Sequence, residues 1–202
     1  DLALVTGNLG KPGAGVSPFR GHNNVQGGGG DMGTLPNLLP GYRDPSDPDV
    51  LDEFEDAWGV RPPAEEGLTV PEVFDEALAG NVEGLYVMGE NPALSEPDLA
   101  HAEEALTALD FLVVQDVFPT ETAAYADVVL PAATFSETEG TFTNTERRVQ
   151  LVGKATDPPG DARQDWAIIQ DLANRIDHAG DAWAYDDPAE VMDEISEVAP
   201  IY

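Results

Sequence analysis

The stretch "GLYVMGENPALSEPDLAHAEEALTALDFLVVQDVFPTETAAYADVVLP", residues 84–131, decides the fold. It contains three short apolar runs, at 84–89, 111–116 and 127–131. Two segments of helical character separate them, at 97–110 and 120–126. Continuous apolar strands that alternate with helices are typical of a parallel sheet covered on both faces. The sequence therefore predicts an α/β fold with a parallel, Rossmann-like sheet flanked by helices.

Outside this stretch the sequence predicts two further features. Residues 8–47 are rich in glycine and proline and predict a long loop, which in a compact domain is usually functional. Thr, Phe and Val alternate with polar residues around Asn144, which predicts a β-hairpin or extended arm over 140–153. Capping residues and apolar spacing predict further helices at 48–58, 70–79, 162–176 and 188–198.

The charge of the chain is strongly acidic. Its 202 residues include 39 Asp and Glu against 9 Lys and Arg, a net charge of −30. Nucleic acids and anionic membranes are therefore not expected as partners, because binding phosphate needs cations. The carboxylates are scattered and only Lys11 and Lys154 are lysines, which favours a solvated acidic coat in a halophilic, cytoplasmic setting over a specific cation-binding or interaction surface.

Cysteine is absent from the chain. Disulfides, thiolate metal sites and cysteine-ligated iron–sulfur clusters are thereby excluded within this stretch. No apolar run reaches the length that a membrane-spanning helix needs. The chain begins with "DLALVTGNLG", which resembles the tail of a helix, so we expect a piece of a longer polypeptide.

Polar residues follow two of the predicted strands. Gly89, Glu90 and Asn91 come after the first, and Gln115 and Asp116 end the second. Ligands of parallel α/β sheets bind at the carboxyl ends of strands, and an aspartate there suits ribose hydroxyls or a guanine edge. The next helix is predicted to open at Thr120 with N–H groups free for phosphate. These residues predict a nucleotide-like ligand, and ordinary turns and helix caps remain the alternative.

The second candidate site is the segment "FRGHNNVQGGGGDMG", residues 19–33. It has almost nothing to bury, yet it carries a dense polar cluster on a glycine-rich backbone. The guanidinium of Arg20 suits a carboxylate or a phosphate. His22 is a candidate general base or metal ligand, and the alternative is a loop histidine that only forms hydrogen bonds. The cluster predicts a backbone arranged around a large polar ligand.

Several motifs in order resemble the molybdopterin oxidoreductase superfamily. They are "TGNLGKPGAGVSPFRGHNNVQGGGGDMG", "LPNLLPGYR", "YVMGENPALSEPD", "VVQDVFPTETAAYADVVLPAATFSETEGTFTNTERRVQ" and "DWAIIQDLANRI". The Arg-Gly-x-Asn-Asn-Val-Gln-Gly element is more similar to formate dehydrogenase catalytic (alpha) subunits than to nitrate reductases. His22 stands where glutamine is common in that family.

The resemblance implies a fragment of a large enzyme that oxidises formate to carbon dioxide with transfer of two electrons. Its cofactor is bis(molybdopterin guanine dinucleotide) with molybdenum or tungsten, and its 4Fe-4S cluster and metal ligand lie outside this stretch, so the fragment alone is expected to be inactive. The residue matching Arg20 orients formate, and those matching Gly21 and His22 lie near the pterin. The guanosine of one cofactor is lined by residues matching Gly89, Glu90, Asn91, Gln115, Asp116, Thr120 and Asp127.

The predicted organisation follows from this resemblance. Residues 1–47 form a truncated helix and the cofactor loop, 48–177 the partial guanine dinucleotide-binding domain, and 178–202 a C-terminal helical segment. The expected partners are formate, the missing domains of the same polypeptide and an electron-transfer subunit. Two alternatives remain: a fragment of a nitrate reductase-like molybdopterin enzyme, or an acidic nucleotide-binding module without redox activity.

Overall fold

The computed structural model describes residues 1–16, 19, 21–31, 35–146, 148–176 and 183–199, with the side chains of 29–31 excepted. The chain divides into two compact units. The first comprises Asp1–Glu65, Thr141–Val152 and Glu194–Tyr202, and the second Glu66–Gly140 and Gly153–Asp193. The domain bounds at 1–47, 48–177 and 178–202 are contiguous and stay a prediction, whereas each unit combines stretches that are distant in sequence.

The structure contains seven α-helices and five strands in its described part. The α-helices are α1 Leu2–Val5, α2 Pro48–Trp58, α3 Val70–Leu78, α4 Pro92–Ser95, α5 Leu99–Ala108, α6 Asp165–Ile176 and α7 Pro188–Val198. A π-helix spans Val25–Asp31 and a 3-10 helix spans Thr122–Tyr125. The strands are β1 Gly84–Met88, β2 Phe111–Asp116, β3 Val128–Pro131, β4 Gly140–Thr143 and β5 Val149–Val152.

A three-stranded parallel sheet with the order β1-β2-β3 forms the centre of the second unit. Val87 of β1 is level with Val114 of β2, and Val114 is level with Val129 of β3. The predicted parallel α/β fold is confirmed. All three carboxyl ends lie at one edge of this sheet, which we call the carboxyl edge.

The connections between the strands differ in detail from the prediction. The helix expected at 97–110 is α5, and the separate short helix α4, which was not predicted, precedes it. The short helix predicted at 120–126 is a single 3-10 turn of four residues, Thr122–Tyr125. Asp98 begins α5 by accepting a hydrogen bond from the His101 N–H at 3.2 Å.

The core of the second unit lies between the sheet and helices α3 and α5. Phe74, Leu106, Leu112 and Val114 are at most 4% exposed. Burial of each large side chain stabilises the fold by about 1.5–3 kcal/mol. Phe111, at the start of β2, remains 50% exposed.

The first unit has a smaller core around α2. Val50 and Phe54 of this helix pack with Val198, and Leu39 lies against them. As predicted, α2 begins at the Asp-Pro pair: the Asp47 side chain caps it by accepting from the Asp49 N–H at 3.0 Å, and Pro48 is its first residue. The helix ends at Gly59, whose φ is +71°.

Two other features of the first unit concern the predicted loop and arm. The glycine run, which the sequence predicted to be part of a long loop, lies in the π-helix Val25–Asp31. Strands β4 and β5 pair in a two-stranded sheet, which confirms the predicted hairpin.

No helix among the described residues is both long and apolar enough to cross a membrane.

Candidate functional site

The carboxyl edge brings the first predicted strand end next to the second. The Gly89 N–H donates to the Gln115 carbonyl at 2.9 Å, directly after β1. Gly89 has a φ of +63°, and a Cβ atom at this position would meet nothing within 4 Å. The backbone there is therefore open to a ligand, and glycine is favoured by its left-handed conformation. The neighbouring Glu90 is exposed, and its Oε1 accepts from Ser95 Oγ at 2.9 Å.

Asn91 ties the loop after β1 to the loop after β2. Its Nδ2 donates to Glu121 Oε2 at 2.7 Å. Its Oδ1 accepts from the Thr122 N–H at 3.1 Å and from Thr122 Oγ1 at 2.8 Å. The hydrogen bond from Asn91 lowers the pKa of Glu121. In this structure the amide of Asn91, predicted to contact a ligand, holds the two loops together.

Gln115 has a structural environment that the sequence did not reveal. Its side chain is fully buried and donates from Nε2 to Asp165 Oδ1 at 2.5 Å, while its Oε1 accepts from the Tyr86 hydroxyl. Burial raises the pKa of Asp165, the Gln115 hydrogen bond opposes that shift, and the charge of Asp116 adds to it. Burial and the Asp165 charge also raise the pKa of Tyr86.

The sequence did not predict that Tyr86 and Asp165 form hydrogen bonds with Gln115. Tyr86 lies inside an apolar strand, and Asp165 is 50 residues beyond Gln115 in the sequence. The only local signal is that a polar residue, Gln115, occupies a buried strand.

Asp116 and Thr120 line the same edge after β2. Asp116 Oδ1 accepts from the Phe118 N–H at 3.2 Å. Thr120 Oγ1 is the one buried side-chain polar atom of the described residues that has no hydrogen-bond partner. A buried hydroxyl without a partner costs free energy unless a ligand or water satisfies it. Thr120 therefore remains suited to contact a bound group.

The turn at Thr120 leaves fewer free N–H groups than the predicted phosphate site requires. The Thr120 N–H donates to the Phe118 carbonyl at 2.9 Å, and the Ala123 N–H donates back to the Thr120 carbonyl at 3.1 Å. The Thr122 N–H is occupied by Asn91. A single 3-10 turn whose N–H groups are bonded in this way offers neither free donors nor a helix dipole.

Asp127 does not lie with the other predicted residues. It precedes β3, and its Oδ2 accepts from the Leu112 N–H at 2.8 Å near the start of β2. Because the strands are parallel, Asp127 is at the amino edge of the sheet, and the length of β3 separates it from the carboxyl edge. The structure does not bring it into the candidate site.

The glycine-rich segment belongs to the first unit. Gly21 and His22 are exposed, and a Cβ atom at Gly21 would meet nothing within 4 Å. Arg20, the predicted catalytic residue, lies outside the described residues. Among the residues that the structure describes, no cluster of three or more His, Asp or Glu side chains could hold a metal ion.

A parallel sheet with an open glycine, the carboxylates of Glu90 and Asp116 and an unsatisfied hydroxyl at its carboxyl edge is the arrangement typical of α/β proteins that bind a cofactor or a nucleotide. The family model described as molybdopterin oxidoreductase matches residues 1–175. The chain belongs to the molybdopterin oxidoreductase family.

Relatives with known names are similar over the whole chain. It is 54% identical to the F420-dependent formate dehydrogenase subunit alpha of Methanocaldococcus jannaschii, covering 100% of this chain and 29% of that protein. It is 48% identical to F420-dependent formate dehydrogenase 1 subunit alpha of Methanococcus maripaludis, with the same coverage. The chain thus spans less than a third of the length of these relatives.

A solved structure shares the fold. Acetylene hydratase from Pelobacter acetylenicus superposes with a TM-score of 0.56 at 22% identity, over 73% of this chain and 22% of that one. This likeness supports the α/β architecture.

Proposed function

We propose that the chain is the cofactor-binding part of a formate dehydrogenase, which oxidises formate to carbon dioxide. The observation that carries this proposal is the similarity along the whole chain to proteins named formate dehydrogenase subunit alpha. Nitrate reductase-like activity is the competing enzyme class, and a free nucleotide-binding module without redox activity is the competing class outside catalysis.

Two features of the described residues support the guanine dinucleotide form of the cofactor. The open backbone at Gly89 and the unpartnered hydroxyl of Thr120 leave room and hydrogen-bonding capacity at the carboxyl edge. In the proposed site, Gly89, Glu90, Asp116 and Thr120 hold the guanosine. Asp116 supplies a carboxylate that matches the paired N–H donors of guanine. Asn91 and Gln115 stabilise this edge through hydrogen bonds within the protein. The proposed site does not include Asp127.

The start of the glycine-rich segment, at Gly21 and His22, is proposed to contact the pterin, as the resemblance to formate dehydrogenase subunits implies. Gly21 allows close approach of the pterin because it has no side chain, and His22 offers a polar contact. Arg20 orients formate by pairing its guanidinium with the carboxylate. A bound molybdenum or tungsten centre would supply the acceptor for the two electrons of formate, whose oxidation to carbon dioxide also releases a proton. A 4Fe-4S cluster elsewhere in the polypeptide and an electron-transfer subunit complete the proposed route for these electrons.

Turnover by the full-length protein tests this proposal. We expect it to reduce an artificial electron acceptor with formate and to show no reduction of nitrate. Purified protein that retains molybdopterin but reduces nitrate, and leaves formate unchanged, would identify the competing enzyme class. Absence of bound molybdopterin together with binding of a free guanine nucleotide would support the nucleotide-binding module.

The acidic coat is proposed to adapt the protein to the cytoplasm of a salt-accumulating organism. With a net charge of −30, repulsion among carboxylates opposes the compact state at low salt. We expect the melting temperature of the full-length protein to rise by about 10 °C or more between about 0.1 M and 2 M KCl. The measurement is thermal unfolding followed by circular dichroism. An equal rise in a non-ionic osmolyte of matched osmolarity would contradict charge screening as the cause.

A further inference from the structure

Asn24 joins the glycine-rich segment to the β4–β5 hairpin. Its Oδ1 accepts from the Thr143 N–H at 2.9 Å, although the two residues are 119 positions apart in the chain. Its carbonyl accepts from the Gly28 N–H at 2.8 Å, at the start of the π-helix. One residue therefore connects the segment with the hairpin and also closes the first turn of the segment.

Gly27 makes this contact possible because it lacks a side chain. A Cβ atom at Gly27 would overlap Asn24 Oδ1 and lie 3.1 Å from Thr143 Oγ1. Gly27 is buried and Thr143 is 4% exposed. The Asn24 amide cannot swing away from an added methyl group without losing its bond to the Thr143 N–H. The three residues Asn24, Gly27 and Thr143 thus form a close-packed contact, which we call the hairpin lock.

The hairpin has its own ordered turn and can serve as a support. Asn144 Oδ1 accepts from the Glu146 N–H at 2.9 Å and from the Arg148 N–H at 3.0 Å. The Asn144 N–H also donates to the Arg148 carbonyl at 3.0 Å. These bonds fix the turn independently of the glycine-rich segment. The hairpin lock therefore attaches a flexible backbone to an element whose geometry is already set.

We propose that the β4–β5 hairpin is a positioning element for the Gly21–His22 end of the segment, acting through the hairpin lock. This inference rests on the proposed function, in which Gly21 and His22 contact the pterin. A glycine-rich backbone has many accessible conformations, so an anchor two residues beyond His22 restricts it strongly. Site residues must be held within about 0.5 Å of their working geometry by such supporting contacts.

The adjacent glycines Gly27 and Gly28 provide a matched test in the full-length protein. A Cβ atom at Gly28 meets nothing within 4 Å, so Gly28→Ala makes the same chemical change without the clash. We expect Gly27→Ala to increase amide hydrogen exchange in peptides covering 21–28 and to lower molybdopterin content. We also expect kcat/KM for formate to fall by about 10-fold to 100-fold. Gly28→Ala should match the wild type in all three measurements.

A second pair of variants separates loss of the hydrogen bond from added bulk. Asn24→Ala removes the acceptor and should reproduce the effects of Gly27→Ala, whereas Asn24→Asp keeps an oxygen at this position and should restore exchange and kinetics towards the wild type. Asn144→Ala, in the turn of the hairpin, controls for general weakening of the arm.

Different results would contradict the hairpin lock, the positioning role and the proposed function. Equal increases of exchange in Gly27→Ala and Gly28→Ala would overturn the hairpin lock. Increased exchange in Gly27→Ala with unchanged molybdopterin content and formate kinetics would overturn the positioning role. If the wild-type protein contains molybdopterin but shows no formate turnover, the proposed function fails. The positioning role is then still tested by the amide hydrogen exchange and the molybdopterin content of the Gly27→Ala and Gly28→Ala variants.

Discussion

Replacement of Arg20 by alanine in the full-length protein is expected to lower kcat/KM for formate by about 100-fold or more, the loss typical of removing one charged group at a reacting centre. The reason is the fit between a guanidinium fork and a carboxylate, which fixes the substrate by two parallel hydrogen bonds. The measurement is steady-state formate oxidation with an artificial electron acceptor, normalised to molybdopterin content.

Two further variants sharpen this prediction. Arg20→Lys keeps the positive charge but loses the planar fork, so we expect an activity between those of the wild type and Arg20→Ala. Arg61→Ala is the matched control, because Arg61 binds Asp52 and Glu55 on the exposed side of α2, at 2.5 and 2.7 Å. Its formate kinetics should remain those of the wild type. Unchanged kinetics in Arg20→Ala would remove Arg20 from the site.

Replacement of Gln115 by leucine is expected to destabilise the protein by about 1–3 kcal/mol, because the half-buried Tyr86 hydroxyl loses its acceptor and the partly exposed Asp165 carboxylate loses its amide donor. Leucine fills much of the same volume but leaves the Tyr86 hydroxyl and the Asp165 carboxylate without their amide partner. For a unit of this size the melting temperature should fall by roughly 5–15 °C. Gln150→Leu, on the exposed side of β5, is the control and should change it little.

The pH dependence of the Gln115→Leu variant gives a second readout. Asp165 has a raised pKa in the folded protein, so its ionised form costs stability as the pH rises through that pKa. The Gln115 hydrogen bond opposes this shift, and its loss raises the pKa of Asp165 further. The destabilisation should therefore be larger at neutral pH than below the ordinary Asp pKa of 3.8, where the carboxyl is protonated in both states. A loss of stability that does not change with pH would contradict this coupling.

The sequence predicted the parts of the fold that depend on neighbouring residues. The apolar runs of β1, β2 and β3 are the observed strands, because a strand buried in a parallel sheet needs apolar side chains on both faces. The bounds of α2 followed from Asp47 and Gly59. The Asp47 side chain accepts a hydrogen bond from a backbone N–H of the first turn, and Gly59 ends the helix in a left-handed conformation. The positions of Gly89 and Asp116 at one edge followed from the parallel order of the strands.

The sequence was less informative about the last turn before β3. It predicted a short helix with free N–H groups at Thr120, but the Thr120 N–H bonds to Phe118 and the Thr122 N–H bonds to Asn91. Asp127 was placed with the guanosine residues by resemblance alone. The direction of β3 puts it at the opposite edge, where it bonds to Leu112.

The sequence by itself determined the α/β class, the acidic surface and the order of the motifs, because these depend on composition and on contacts between residues close together in the chain. Only the tertiary structure decided which polar side chains face a ligand and which hold the protein together. Gln115 depends on Asp165, and Asn24 depends on Thr143, through hydrogen bonds that span 50 and 119 residues. A hydrogen bond needs its two atoms within about 3 Å, and folding alone brings such distant residues that close.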